Sequence, residues 1–139
     1  MEGRVLGLDV GTRRIGVAVS DESRLIAREL TTIVVTSFPQ AAQSVAVIVK
    51  ELDITSIVIG LPLTMRGEEG EQARITRLFG ASIGRIVKVP LTYVDERLTT
   101  KMSDAAMCEV STKRSRRKIK RDSLAALFIL QSYLDQQHR

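Results

Sequence analysis

Three acidic residues lie at the ends of apolar segments, where a carboxylate is unfavourable unless another group binds it. Asp9 ends an otherwise apolar segment just before a glycine turn, Glu96 follows another apolar segment, and Asp122 precedes the apolar run 124–130. A buried carboxylate needs hydrogen-bond donors or a cation to offset its desolvation. These three residues are therefore the first candidates for chemistry in this chain.

Each of the three also has an ordinary structural explanation. Asp9 could accept hydrogen bonds from the amides of the turn that follows it. Asp95 could cap the next helix, which would leave Glu96 merely exposed. Asp122 could stand at the start of a helix and complement its dipole.

The composition narrows the chemistry that these carboxylates could support. The chain has one histidine, His138, and one cysteine, Cys108, so a serine or cysteine nucleophile has no histidine base near it. A zinc site built on several cysteines is excluded. Oxygen ligands alone favour one or two hard cations, Mg²⁺ or Mn²⁺. Carboxylates of this kind beside basic residues are what metal-assisted phosphodiester hydrolysis requires.

Positive charge is concentrated in one block, residues 113–121. The net charge of the chain is +5, and without the seven basic residues of this block it becomes −2. The pattern predicts a polyanionic partner, although a solvated loop without a ligand would look the same. The seven residues, predicted to bind nucleic acid, are Lys113, Arg114, Arg116, Arg117, Lys118, Lys120 and Arg121.

Length and hydropathy favour one domain, residues 1–139, in a cytoplasmic protein. A chain of 139 residues supports a single core. The longest apolar run has far fewer than the ~20 residues of a membrane span, and the N-terminus lacks the layout of a signal peptide. We therefore expect no membrane partner.

Hydrophobic periodicity predicts the elements that must position these residues. Short apolar segments with turns between them predict an antiparallel meander, and later strands separated by helical patterns predict parallel additions to it. The predicted strands are 4–9, 15–20, about 25–35, 54–59 and 86–94; the predicted helices are one starting near Pro39, 68–84, 98–110 and 122 to about 136. The expected architecture is α/β, a five-stranded mixed sheet with three antiparallel strands, then two parallel ones, flanked by helices.

Four motifs in this order resemble those of the YqgF/RuvX family. They are LDVGTRRIGVA at 8–18, GLPLTMRGEEG at 60–70, VDERLTT at 94–100, and DSLAA at 122–126 with ILQSYLD at 129–135. The resemblance covers essentially the whole chain. It implies a ribonuclease H-like fold for this chain. Members of the family are described as Holliday junction resolvases and as nucleases that mature the 5′ end of pre-16S ribosomal RNA. By the same resemblance, Asp9, Glu96 and Asp122 are the catalytic, metal-binding residues.

Other residues of the motifs have roles that the sequence leaves open. Asp95 is the nearest competitor of Glu96, and Glu68 is a more distant one. Four basic residues beside the carboxylates are predicted to clamp phosphates: Arg13, Arg14, Arg97 and Lys101. Arg97 could instead form an internal salt bridge. Thr64, Arg66 and Arg121 depart from the residues that the family commonly has, and Arg121 is placed to pair with Asp122.

The leading hypothesis is a divalent-metal-dependent nuclease acting on pre-rRNA or branched DNA. Ribosomal particles are candidate partners, and the chain would act as a monomer or a homodimer. The alternative is a nucleic-acid-binding module without catalysis, since a fold does not dictate an activity. A nucleotide phosphotransferase is a third reading, because Asp-x-Gly-Thr also opens phosphate-binding turns in actin-like kinases, but those need two such domains.

Overall fold

The computed structural model describes residues 3–96 and 114–138, with side chains for all of these except 114–120. The elements in chain order are β1 (Arg4–Val10), β2 (Arg14–Ser20), β3 (Ala27–Val34), α1 (Phe38–Glu51), β4 (Ile54–Leu61), α2 (Glu71–Gly84), β5 (Leu91–Asp95) and α3 (Arg114–Gln137). Within this described part, no helix is both long and apolar enough to cross a membrane.

The five strands form one sheet in the order β3-β2-β1-β4-β5. β1 pairs antiparallel with β2, and β2 with β3, because short turns join them. β4 lies parallel to β1, and β5 parallel to β4. Each of these two strands is reached through a helix, as a parallel neighbour requires. The predicted α/β sheet of three antiparallel and two parallel strands is confirmed.

The sheet has an apolar layer on each face because strand side chains alternate in direction. On one face, β-strand residues such as Leu6, Leu8 and Ile57 pack with Val45 of α1 and Phe79 of α2. On the other face, the strands pack against α3, and the buried residues described there are Val5, Ala18, Ala27, Val58, Ala126, Ile129, Leu130 and Leu134. Helix α3 is therefore the single described element that covers this second face.

Several predicted boundaries are wrong for local reasons. The third strand begins at Ala27, not near residue 25, because the Asp21 carboxylate accepts from the amides of Leu25 and Ile26 and holds them in the preceding turn. Helix α2 begins at Glu71, not at residue 68, since Glu69 pairs with Leu63 across a small hairpin. The predicted helix 98–110 lies outside the described residues.

The last strand is shorter than predicted. Residues 86–90 do not belong to it, because the amides of Ile86 and Val87 donate to the Ile83 carbonyl and continue the last turn of α2. Strand β5 begins only after Pro90, at Leu91. Pro39 at the start of α1 is confirmed, with Ser37 as the N-cap.

The largest correction concerns the last helix. It begins at Arg114, not at Asp122, so most of the basic block lies within α3 rather than before it. Lysine and arginine are good helix formers, and no glycine or proline interrupts 114–137. Asp122 therefore lies inside the helix, and the reading in which it complements the dipole at a helix start is wrong.

Candidate active site

Asp9 and Glu96 lie at the same end of the sheet. Asp9 is the penultimate residue of β1, and Glu96 follows β5 directly. β1, β4 and β5 run parallel, so their carboxyl ends share one edge, and β4 separates the two acidic strands. Gly60 of β4 lies beside Glu96, since a Cβ at this position would be in ordinary contact with Oε2 of Glu96 at 3.6 Å. The sheet thus brings together two residues that are 87 positions apart in the sequence.

Helix α3 reaches this edge because three glycines let it approach the sheet closely. A Cβ on Gly16 of β2 would lie 1.9 Å from the Asp122 carbonyl oxygen. A Cβ on Gly7 would lie 2.7 Å from Cβ of Leu130, and one on Gly60 2.5 Å from Cδ1 of Ile129. Glycine inside a strand commonly marks such a close approach. Since Gly16 is the sheet neighbour of Asp9, its contact with Asp122 brings that residue beside Asp9.

Two side-chain contacts also fix α3 against the edge strand β3. The Gln131 amide accepts from the Ala27 N–H at 2.8 Å and donates to the Leu25 carbonyl at 3.0 Å. Ser123, next to Asp122, donates to the Glu29 carboxylate at 3.0 Å. These hydrogen bonds anchor α3 at Ser123, the residue next to Asp122, and again at Gln131.

Arg14 forms the ion pair of this site. Its Nε donates to Oδ2 of Asp122 at 2.6 Å, and the two side chains are 33% and 24% exposed. The turn after β1 delivers Arg14 to this place, because the Gly11 N–H donates to the Arg14 carbonyl at 2.9 Å. The sequence suggested Arg121 as a partner for Asp122 and Arg14 as a phosphate ligand; the structure gives Asp122 the Arg14 guanidinium.

Asp9 and Glu96, the other two carboxylates of the site, are buried in contact with each other, so they do not readily carry two negative charges together. Burial raises the pKa of Asp9 well above its ordinary value, and the negative charges of Glu96 and Asp122 raise it further. Burial also raises the pKa of Glu96, while its hydrogen bond from the Asp9 carboxyl acts in the opposite direction. Two carboxyl groups in contact are stabilised when one keeps a proton that they share. The directions of these shifts make Asp9, rather than Glu96, the carboxyl group that takes up such a proton more readily.

The carboxylate oxygens of Asp9 and Glu96 suit a hard divalent cation, although the described side chains do not surround one completely. Among the described side chains, no group of three or more Asp, Glu, His or Cys residues is arranged to hold a metal ion. Asp9 and Glu96 nevertheless form a contact pair of oxygen donors whose shared proton a cation would replace. Asp122 is close enough to act on the Asp9 charge, but its carboxylate is bonded to Arg14.

The other predicted site residues are dispersed. Asp95 ends β5, and its charge raises the pKa of Glu96. Glu68 is exposed, and its backbone closes a loop with Thr64. Arg13 is exposed beside Arg14. Arg97, Lys101 and Lys113 lie outside the described residues, and the side chains of Arg114, Arg116, Arg117, Lys118 and Lys120 are not described; Arg121 is exposed on α3.

The loop between β4 and α2 extends from the same edge. It is a small hairpin in which Leu63 pairs with Glu69, and Met65 near its tip is 99% exposed. The Glu69 carboxylate accepts from Nε of Arg77 at 2.7 Å, and the Arg77 guanidinium lies 4.7 Å from the centre of the Tyr93 ring. These contacts fasten the hairpin to α2 and β5.

Sequence reasoning identified the three carboxylates and the structural use of Gly16, but it missed the ion pair and two of the glycines. Gly7 and Gly60 are interruptions of apolar strands, and that signal is enough to suspect a close backbone approach. No sequence signal predicts the Arg14 contact, because its partner is 108 residues away.

Replacing Asp9 by asparagine should stabilise the metal-free protein. Asparagine is neutral without taking up a proton, so folding no longer has to protonate a buried carboxyl beside Glu96, and we expect a rise in Tm of roughly 3–6 °C at neutral pH. The raised pKa of Asp9 means that the folded protein holds a proton that the unfolded chain releases. The contribution of Asp9 to the stability of the native protein should therefore fall as the pH rises above the pKa that Asp9 has in the unfolded chain, and Asp9→Asn should remove that contribution. Thermal unfolding in EDTA from pH 4 to 8 measures both effects; an equal pH dependence in the two proteins would contradict this account.

Comparison with known proteins gives a consistent result. The profile of a family described as RuvX, Holliday junction resolvase, matches residues 3–136. A relative from Roseiflexus sp. (strain RS-1), provisionally named a pre-16S rRNA nuclease, is 41% identical over 97% of this chain and 96% of its own. One from Caldanaerobacter subterraneus subsp. tengcongensis with the same name is 44% identical over 96% of this chain and 97% of its own.

Solved structures share the fold at low sequence identity. RuvC from T. thermophilus, in complex with a Holliday junction substrate, superposes with a TM-score of 0.64 at 16% identity, covering 98% of this chain and 96% of RuvC. The fowlpox virus resolvase, bound to Holliday junction DNA, gives 0.57 at 12% identity, covering 98% and 99%.

The sheet, its flanking helices and these relatives define the chain as a nuclease of the ribonuclease H-like class. More particularly, the chain belongs to the RuvX family.

Proposed function

We propose that the chain is a divalent-metal-dependent nuclease whose catalytic residues are Asp9, Glu96 and Asp122. The observation that carries the proposal is the buried contact between Asp9 and Glu96 at the carboxyl edge of the sheet, with the Asp122 charge beside it. Burial and the neighbouring negative charges raise the pKa of both carboxyl groups, an unfavourable arrangement that a bound cation would relieve. The all-oxygen donor set favours Mg²⁺ or Mn²⁺, as one or two ions.

The chain's own residues would divide the work. Asp9 and Glu96 would hold the cation, and Asp122 would complete its ligands from α3. Bound there, the cation would activate the attacking water and stabilise the leaving oxygen. Arg13 and Arg14 would hold the phosphate backbone from the turn after β1, together with Arg97 and Lys101. The positive charge of the basic block would add to this attraction; its residues are Lys113, Arg114, Arg116, Arg117, Lys118, Lys120 and Arg121.

The substrate that we propose first is the 5′ end of pre-16S ribosomal RNA. Two full-length relatives above 40% identity carry that substrate in their names. Holliday junction DNA is the second substrate, supported by the description of the family and by the junction-bound neighbours of the same fold. The first substrate would make ribosomal particles partners and the cytoplasm the place of action. The second would favour a symmetric dimer, because a four-way junction needs two cuts.

Cleavage of two labelled substrates tests the proposal. A pre-16S 5′-leader RNA and a four-way DNA junction are incubated with the protein in Mn²⁺, in Mg²⁺ and in EDTA. We expect cutting with the metals and none with EDTA, and the preferred substrate identifies the reaction. Cutting that persists in EDTA would contradict the metal-dependent mechanism, and no cutting of either substrate would favour the alternative below.

One observation favours that alternative, a nucleic-acid-binding module without catalysis. The Asp122 carboxylate is neutralised by Arg14, so the described side chains do not form a closed metal cage. The basic block alone would then carry the function. Neutralising Arg116, Arg117 and Lys118 together should weaken binding of the leader RNA roughly 10- to 100-fold and lower the slope of log affinity against log salt by about 2. A matched triple neutralisation at the exposed residues Lys50, Arg85 and Lys88 serves as the control, and an equal loss there would rule out a specific role for the block.

A further inference from the structure

We propose that Arg14 is a displaceable internal counter-ion, which neutralises Asp122 in the metal-free protein and competes with the divalent cation for it. The inference rests on the proposed function, because it concerns the same carboxylates. It adds a mode of regulation: the site is complete only when the Arg14 guanidinium leaves Asp122 and takes another anion, namely a phosphate of the nucleic acid.

The geometry of the pair supports displacement rather than permanent structure. The bond is single, from Nε of Arg14 to Oδ2 of Asp122 at 2.6 Å. A guanidinium has five N–H donors, so this contact leaves others able to bind an anion. Both side chains retain some exposure, 33% and 24%, so water and phosphate can reach them. Partly exposed ion pairs contribute modestly to stability, so breaking this one requires little free energy.

The position of Arg14 shows which part of the ion pair can move when a cation replaces it at Asp122. The residue begins β2, and the hydrogen bond from Gly11 to its carbonyl fixes its backbone in the turn beside Asp9. Asp122 is fixed just as firmly by the approach of α3 to Gly16. With both backbones fixed, only the long Arg14 side chain has to rotate. A cation at Asp122 and a phosphate at Arg14 should therefore favour each other's binding.

Binding of Mn²⁺ without nucleic acid tests the competition. Free Mn²⁺ is counted by electron paramagnetic resonance in titrations of the native protein, Arg14→Gln, Asp122→Asn and the double variant. We expect Arg14→Gln to bind Mn²⁺ roughly three- to tenfold more tightly, because the competitor is gone. In the Asp122→Asn background the same change should have no effect. Arg85→Gln, an exposed charge at the end of α2, should leave Mn²⁺ affinity unaltered.

An unchanged or weaker Mn²⁺ affinity in Arg14→Gln would overturn the inference, even if the protein cleaves nucleic acid. Conversely, tighter binding in a protein that cleaves neither substrate would support the counter-ion and reject the nuclease. Arg14→Lys keeps the positive charge should the glutamine variant fold poorly; it should bind Mn²⁺ with an affinity between those of the native protein and Arg14→Gln. A lysine variant weaker than the native protein would also count against competition.

The second part of the proposal, that the released Arg14 binds a phosphate, is tested by measuring the affinity for the labelled leader RNA in EDTA. Asp122→Asn releases Arg14, so RNA binding should tighten several-fold, and adding Arg14→Gln should remove the gain. Asp53→Asn, which removes an exposed carboxylate at the opposite end of β4, controls for the change in net charge. An equal gain in Asp53→Asn, or a gain that survives loss of Arg14, would overturn this half of the proposal.

Discussion

Asp9→Asn is expected to reduce cleavage by a thousandfold or more, on the order of the loss when a metal-dependent hydrolase loses a ligand. Asparagine is nearly the same size as aspartate, but its neutral amide cannot supply the negative charge that a divalent cation requires. The variant should remain folded, because a side chain that is neutral without a proton at this buried position is expected to raise its Tm. A more stable but inactive protein would show that the loss arises from chemistry and not from unfolding.

The measurement is single-turnover cleavage of the preferred substrate in Mn²⁺, with binding of the same substrate followed in EDTA. Asp53→Asn is the matched control, because Asp53 is exposed, lies at the other end of the sheet, and has a φ of 53° that asparagine tolerates. Nucleic-acid binding should survive in both variants. Retention of more than about a tenth of the native rate in Asp9→Asn would remove Asp9 from the proposed mechanism.

Gly16→Ala should produce the largest loss of stability among single-methyl changes in the sheet. The added Cβ would lie 1.9 Å from the carbonyl oxygen of Asp122 and 2.3 Å from its carbonyl carbon, both backbone atoms of α3 that cannot rotate away. The helix must therefore move off the sheet, which opens the second apolar layer. We expect a cost of about 3 kcal/mol or more, a fall in Tm on the order of 10 °C, and loss of cleavage as Asp122 moves away from Asp9.

Gly84→Ala provides the control. This glycine ends α2, and a Cβ there would meet nothing closer than Cδ1 of Leu91 at 3.8 Å, an ordinary contact. Alanine is the better helix former, so the Tm should stay level or rise slightly. Thermal unfolding of the two variants side by side decides the matter. Equal stability of Gly16→Ala and the native protein would mean that α3 is not held against β2 as described.

The fold was predictable because its signals are local and repeated. Short turns between the first three strands dictate an antiparallel meander, and apolar runs separated by helical periods dictate parallel neighbours. The errors fall where a local side chain or a charge pattern changes the outcome. Asp21 binds the amides that the apolar residues Leu25 and Ile26 would have given to a strand. The run of basic residues looked like a loop, but its helix propensity is high.

The carboxylates were predictable and their surroundings were not. Asp9 and Glu96 stand out because each is a charge at the end of an apolar segment. Strand order places β4 between them, and the sequence does not state that order directly. The Arg14–Asp122 pair depends on the docking of α3 against β2. A contact made across the whole chain follows from packing and not from any local pattern.

The docking of α3 after all five strands has a consequence for biosynthesis. Asp122 is contributed by α3, which follows all five strands in the chain, whereas Asp9 lies in the first of them. Since synthesis proceeds from the N-terminus, the basic turn after β1 is made long before the third carboxylate. If Asp122 is required for cleavage, as proposed, the growing chain stays inactive until α3 has been made and has packed onto the sheet.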